Sequence, residues 1–202
     1  VSGVVGRGDE LASLSAFVES ISDGAAALVL EGDAGVGKTT LWATGVAEAE
    51  GRGALVLVAR PAESETALSF SGLGDLLDQV LEEALAPLPE AQRRALSLAL
   101  VLEDDEGPPP DPHAVGVALL GALRALAAGR AVLVAIDDAP WLDDASSAAV
   151  VYAARRLKDE PVRLLVSGRS GLDCALFGEL RRSLGPGGCA EIELGPLDQP
   201  AL

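Results

Sequence analysis

The chain contains no asparagine and no methionine, only two lysines, and a single histidine. Without asparagine the guanine-reading Asn-Lys-x-Asp motif cannot occur, and neither can an N-glycosylation site. Aromatic residues are only 3% of the 202, so a core must be aliphatic, drawn from the Ala, Val and Leu that dominate a 49% apolar share. That share is too high for a disordered chain and sufficient for one sizeable α/β core. No apolar run approaches the roughly 20 residues of a membrane span. No basic region followed by an apolar segment opens the chain, so no signal peptide is visible, and a cytoplasmic location is expected. The missing initiator Met is what a fragment or a trimmed chain would show.

Cys174 and Cys189 lack metal-ligand spacing. Free thiols are expected of an intracellular chain, with a disulfide left open. The one histidine, His113, falls in Asp-Pro-His at a helix start and reads as a surface residue. Positive charge is scarce: 15 Lys and Arg stand against 31 Asp and Glu, giving a net charge of −16. This segment is therefore unsuited to gripping nucleic acid or an anionic membrane, both of which need clustered Lys and Arg. An acidic, solvated surface that keeps the chain soluble is the simpler reading.

Against this background one lysine stands out. Gly32-Asp33-Ala34-Gly35-Val36-Gly37-Lys38-Thr39 fits G-x-x-x-x-G-K-[ST]. A short apolar run, Ala26 to Leu30, precedes it as a buried strand, and Thr40 to Ala49 follows as a helix. Strand, glycine-rich loop and helix form a phosphate cradle. Glycines let the loop turn its N–H groups inward, and the helix adds the positive end of its dipole. Lys38 then brings charge to the β- and γ-phosphates, and Thr39 offers a hydroxyl to Mg²⁺.

Five strands are expected, at 26–31, 54–60, 131–137, 162–168 and 190–194. The first four are near-continuous apolar runs, as parallel strands covered on both faces require; the fifth alternates and suits an edge. Helices are expected at 9–22, 37–50, 70–85, 89–102, 113–128, 144–158 and 173–183, with Asp9 and Asp143 or Asp144 as N-caps. The acidic, proline-rich stretch 103–112 reads as a surface loop inside one domain.

A second constellation follows from the third strand, which ends in Asp137-Asp138. A carboxylate at the C-terminal end of such a strand stands beside the cradle. Asp137 is placed to hold Mg²⁺ opposite Thr39, and Asp138 to orient or deprotonate an attacking water. The fourth strand ends in Ser167-Gly168-Arg169-Ser170, where Arg169 is either a γ-phosphate sensor or a solvated arginine. Arg7, flanked by glycines before the first helix, either contacts nucleotide or caps that helix.

These residues together resemble a STAND ATPase, above all the large ATP-binding regulators of the LuxR family. The resemblance rests on Val5-Gly6-Arg7 with Asp9-Glu10-Leu11, on GDAGVGKTT at 32–40, on LVAIDDAPWLD at 133–143 and on LLVSGRS at 164–170. A softer likeness lies in ALSFSGLGDLLDQV at 67–80. The resemblance implies a three-layer α/β/α P-loop NTPase with a five-stranded parallel sheet in the order 5-1-4-3-2. It implies that ATP or ADP lies with its adenine side against Val5, Gly6 and Arg7, with Pro196 near the base. Gly32, Asp33, Ala34, Gly35, Val36, Gly37, Lys38, Thr39 and Thr40 would surround the phosphates, and Arg169 would act as sensor. It also implies a domain over 1–195, a linker beginning at 196–202, and further helical and DNA-binding regions beyond Leu202. Asp138 is shorter than the Glu of fast relatives, which fits slow hydrolysis.

The expected function is an ATP-dependent signalling switch with weak ATPase activity, open to nucleotide-dependent oligomerisation. The alternative is a scaffold that holds ADP without hydrolysing it. A stand-alone small-molecule kinase fits less well, because the 103–112 loop does not resemble an Arg-rich lid.

Overall fold

The alternation of apolar runs and helical segments closes into one parallel sheet. The computed structural model describes residues 6–102 and 110–196. Its strands are β1 (Ala26–Gly32), β2 (Leu55–Ala59), β3 (Val132–Ile136), β4 (Val162–Arg169) and β5 (Cys189–Leu194), in the order β2-β3-β4-β1-β5. Every neighbouring pair is parallel. This is the 5-1-4-3-2 order, with β4 between β1 and β3 as expected.

Why the central strands carry long apolar runs is visible in their two faces. Ala27 and Val29 of β1, Val134 and Ile136 of β3, and Leu164 and Val166 of β4 face one core. The alternate residues Leu28, Leu30, Leu133, Ala135 and Leu165 face another. Successive side chains point to opposite sides, so a strand covered on both reads as a near-continuous apolar run. Helices α1 (Gly8–Glu19) and α2 (Lys38–Gly51) cover the second core with Leu14, Val18, Leu41 and Trp42. The first core lies under α3 (Ser71–Leu77), α4 (Leu81–Leu85), α5 (Glu90–Ala99), α6 (Pro112–Ala127), α7 (Asp144–Ala154) and α8 (Ala175–Gly188). The result is the three-layer α/β/α P-loop fold. At the edge, β5 buries Ile192 and Leu194 and exposes Glu191 and Glu193, which accounts for its alternating pattern.

Some expected boundaries change. The helix expected over 70–85 is broken into α3, a 3₁₀ turn at Asp78–Val80, and α4. Its first half packs on β2 and α7, its second on α6, and the tight turn re-aims the chain between them. Asp9 does not cap α1: the helix starts at Gly8 with Arg7 at the N-cap position, so Asp9 lies in the first turn, where its charge faces the helix dipole. α7 stops at Ala154, not 158, as Arg156 and Leu157 both turn their N–H groups back to the Ala153 carbonyl. Most of the 103–112 loop lies outside the described residues; its end, Asp111, caps α6 by accepting from the His113 N–H at 3.1 Å. His113 is exposed, edge-on to Tyr152. Both cysteines are unpaired, and burial pushes both thiols above their ordinary pKa.

The N-cap of α7 is Asp143, and it does more than cap. Its Oδ1 accepts from the Ser146 N–H at 2.9 Å and the Phe70 N–H at 2.8 Å, while Oδ2 accepts from the Gly72 N–H at 3.1 Å. The carboxylate is 2% exposed. It thereby fixes the start of α3 and holds Phe70 in the left-handed region at φ 64°, which a bulky side chain rarely adopts. Asp143→Ala strands these buried donors, and the expected loss of stability is about 3 kcal/mol. Asp144→Ala, one residue on and exposed, should change stability by less than about 0.5 kcal/mol. Urea denaturation of both variants checks the contrast.

Candidate functional site

At the C-terminal edge of the sheet, β1 passes through a tight loop into α2. Gly35 and Gly37 sit at φ 78° and 103°, left-handed conformations in which a side chain is strained. Gly32 is required for space instead: a Cβ there would lie 2.7 Å from the Leu194 carbonyl oxygen of β5. The first helical bond of α2 runs from the Leu41 N–H to the Gly37 carbonyl at 3.1 Å, so the N–H groups of the preceding turn face outward from the helix end.

Lys38 is 6% exposed and curls back over this loop. Its ammonium donates to the carbonyl oxygens of Gly32 at 2.9 Å and Asp33 at 2.8 Å. Thr39 and Thr40 follow, both exposed. Asp33, Ala34, Gly35 and Val36 line an open recess of about 340 Å³ together with Pro196.

Across the sheet edge, Asp137 is buried and donates its N–H to the Ala59 carbonyl at 3.0 Å, extending the β3 pairing with β2 by one step. Its Oδ1 accepts a short hydrogen bond from the Ser167 hydroxyl of β4. The same oxygen of Ser167 accepts from the Asp138 N–H at 3.0 Å. Ser167 is fully buried, and Asp138 is held at φ 53°, ψ 48°, a conformation Asp tolerates better than most residues. In the β1–β4 register Ser167 stands opposite Leu30 and Arg169 opposite Gly32. Arg169 therefore emerges beside the start of the loop.

The remaining residues singled out in the sequence fall as follows. Val5 lies outside the described residues. Gly6 is in the left-handed region at φ 79°. Arg7 is 5% exposed, and its guanidinium is engaged by Glu10, Val36 and Gly195. Reasoning from sequence named Ser167 only as part of a strand end that could sense the γ-phosphate, and missed its bonds to the two aspartates; the signal was a hydroxyl following the apolar run Leu164 to Val166. Glu10, which neutralises Arg7, was passed over as well.

Residues 3–167 match the family described as AAA ATPase domain. The chain belongs to that family. No curated protein matches it. Among solved structures, this AAA ATPase domain is similar to the ORC2 protein of Aeropyrum pernix in its ADPNP-ADP complexes, at 16% identity over 95% of this chain and 48% of that one, with a TM-score of 0.49. It is also similar to a Drosophila ORC chain bound to GC-rich DNA and Cdc6, at 14% identity over 98% of this chain and 62% of that one, with a TM-score of 0.47. The chain thus spans about half the length of the first structure and about three-fifths of the second.

Within the AAA ATPase domain the electrostatics converge on Lys38. Burial lowers its pKa below the ordinary ammonium value. The carboxylates of Asp138, Asp137 and Asp33 oppose that shift, and the Arg169 guanidinium adds to it. Both strand-end aspartates, Asp33 and Arg169 therefore all act on the Lys38 ammonium. A lysine whose folded pKa is lowered binds fewer protons in the folded chain than in the unfolded one over the interval between the two values. Stability rises with pH there. Wild type is expected to gain stability relative to Lys38→Met as pH climbs through that alkaline interval. Denaturation of both proteins along a pH series tests this, and parallel curves would contradict it.

Proposed function

We propose that this chain is the nucleotide switch of a larger STAND-class regulator of the LuxR type, binding ATP or ADP with Mg²⁺ and hydrolysing ATP slowly. The observation that carries this reading is the convergence of Lys38, Asp137, Asp138 and Arg169 at one sheet edge, on the ends of β1, β3 and β4. The residues fit the implied cofactors. Gly35 and Gly37 hold left-handed backbone beside open space, as a loop that turns its N–H groups to an anion requires, and Lys38 is a buried cation held by carbonyls alone. The Thr39 hydroxyl and the Asp137 carboxylate are hard oxygen donors of the kind Mg²⁺ takes alongside phosphate and water. Mg²⁺, when bound, neutralises charge on the β- and γ-phosphate oxygens.

In this reading Lys38 leaves the Gly32 and Asp33 carbonyls for the phosphates. The N–H groups from Ala34 to Thr40 surround them. Ser167 keeps the Asp137 carboxylate aimed, and Asp138 orients the attacking water. Arg169 senses the γ-phosphate, and Gly6, Arg7 and Pro196 flank the adenine side. The short side chain of Asp138, on a backbone pinned by Ser167, supports slow turnover. Residues 1–195 then form the nucleotide domain and 196–202 begin the linker to helical and DNA-binding regions. Contact with DNA belongs to those regions, since this segment carries a net charge of −16. Nucleotide-dependent assembly of the whole protein is part of the same proposal.

Lys38→Ala is expected to abolish ATP and ADP binding in calorimetric titration with Mg²⁺; wild-type affinity in that variant would refute the cradle. Asp138→Ala should bind nucleotide normally while turnover falls about a hundredfold. Unchanged turnover would take Asp138 out of the mechanism, and no turnover in wild type would favour the ADP-holding scaffold.

A further inference from the structure

The cradle contains one peptide unit whose orientation its own sequence does not determine. Between Val36 and Gly37 the chain turns through a glycine at φ 103°, where no side chain restricts rotation. Among the described residues, the Val36 N–H bonds to the Asp33 carbonyl at 3.4 Å, and no protein acceptor takes the Gly37 N–H. What holds the unit is Arg7. Its Nη2 donates to the Val36 carbonyl oxygen at 3.0 Å. A trans peptide is planar, with C=O and N–H pointing in opposite directions. Fixing the Val36 oxygen toward Arg7 therefore aims the Gly37 N–H directly away from it.

The same nitrogen makes a second bond. Arg7 Nη2 also donates to the Gly195 carbonyl oxygen at 2.6 Å, just past the end of β5. The other terminal nitrogen, Nη1, donates to Glu10 Oε1 at 2.9 Å, so the buried guanidinium is neutralised from α1. The cradle and the chain leaving β5 are in close approach here. Gly32 lies against the Leu194 carbonyl, and Pro196 lines the same recess as Asp33 to Val36. A single guanidinium thus links the first helix, the loop and the exit from the domain.

We propose that Arg7 is the positioning residue of the cradle, aiming the Gly37 N–H at the phosphates through the Val36 carbonyl and transmitting occupancy to Gly195–Pro196 through the second bond. The proposal rests on the nucleotide-binding reading above and names how that site reports outward. A bound phosphate draws on the Gly37 N–H, which polarises and shifts the Val36 peptide. Arg7 cannot follow one carbonyl without changing its bond to the other, so the segment after β5 feels the change.

The test uses the 202-residue chain, Mg²⁺-ADP as the probe, and two readouts: affinity by calorimetry and amide hydrogen exchange. In wild type, ADP should slow exchange both at Gly37 and at Gly195. Arg7→Ala should weaken ADP binding about tenfold, as loss of a charge-assisted bond does. It should keep slowed exchange in the cradle and lose it at Gly195. Arg7→Lys keeps the charge without the fork; it should recover part of the affinity and little of the protection at Gly195. It also carries the test should Arg7→Ala not fold. A residue that only supports the fold would lower denaturation stability while leaving both readouts of the folded protein unchanged, and that result overturns the proposal. Wild-type binding that is lost in Lys38→Ala but unaltered at Arg7 overturns the proposal alone. Absence of ADP binding in wild type overturns the nucleotide reading together with it.

Discussion

The parallel pairing of β4 between β1 and β3 is the constraint on which the site depends. Because β4 intervenes, the loop after β1 and the acids after β3 are separated by one strand, which must carry something polar at its end. In register with Leu30 and Gly32, that strand contributes Ser167 and Arg169. Ser167 points its hydroxyl toward β3 and bonds both to the Asp137 carboxylate and to the Asp138 N–H. A buried hydroxyl without such partners would be costly, so the strand end and the acids hold one another in place. That hold fixes the left-handed backbone of Asp138, a conformation Asp tolerates better than most residues.

Much of this was legible beforehand, for identifiable reasons. Near-continuous apolar runs announce burial on both faces, and the alternation of Ile192 and Leu194 with Glu191 and Glu193 announces an edge. The glycine-lysine motif states its own local geometry, because glycine enters the left-handed turns seen at Gly35 and Gly37 without the strain a side chain brings. What was not legible depends on contacts distant in sequence. The final Asp of DDAPWLD reads as a helix cap, yet it also receives Phe70 and Gly72 from more than seventy residues away. Arg7 posed a local question, nucleotide or cap, whereas its principal partners are 29 and 188 residues distant. The break in the 70–85 helix likewise follows from which neighbours its two halves meet and not from propensity.

Acidity gives the buried cations a particular meaning. In a chain of net charge −16 a carboxylate is never scarce, so a buried cation without one is informative. Arg7 has Glu10 at 2.9 Å, and its charge is neutralised within the fold. Arg163, at the other end of β4, donates to the Ser20 carbonyl at the end of α1, where the helix dipole is negative. It stands about 20 Å along the strand from Arg169, at a rise near 3.3 Å per residue. Neither has positive charge to spare near the loop.

Lys38 differs from Arg7 in having no carboxylate partner, and from Arg163 in standing at the loop itself. Among the described residues it makes no ion pair, and its ammonium is satisfied by the carbonyls of Gly32 and Asp33. Carbonyls satisfy the hydrogen-bonding donors but leave the charge uncompensated, and burial accordingly lowers the pKa while the aspartates only partly oppose it. A cation in that condition gains more from an incoming anion than one already paired, because the anion supplies charge balance without first breaking a salt bridge. Of the acids that oppose this shift, Asp137 is bonded to Ser167, and the backbone of Asp138 is pinned by the same hydroxyl. The buried serine that aims the Asp137 carboxylate thus also engages it away from the lysine, and a desolvated positive charge is left at the loop between β1 and α2.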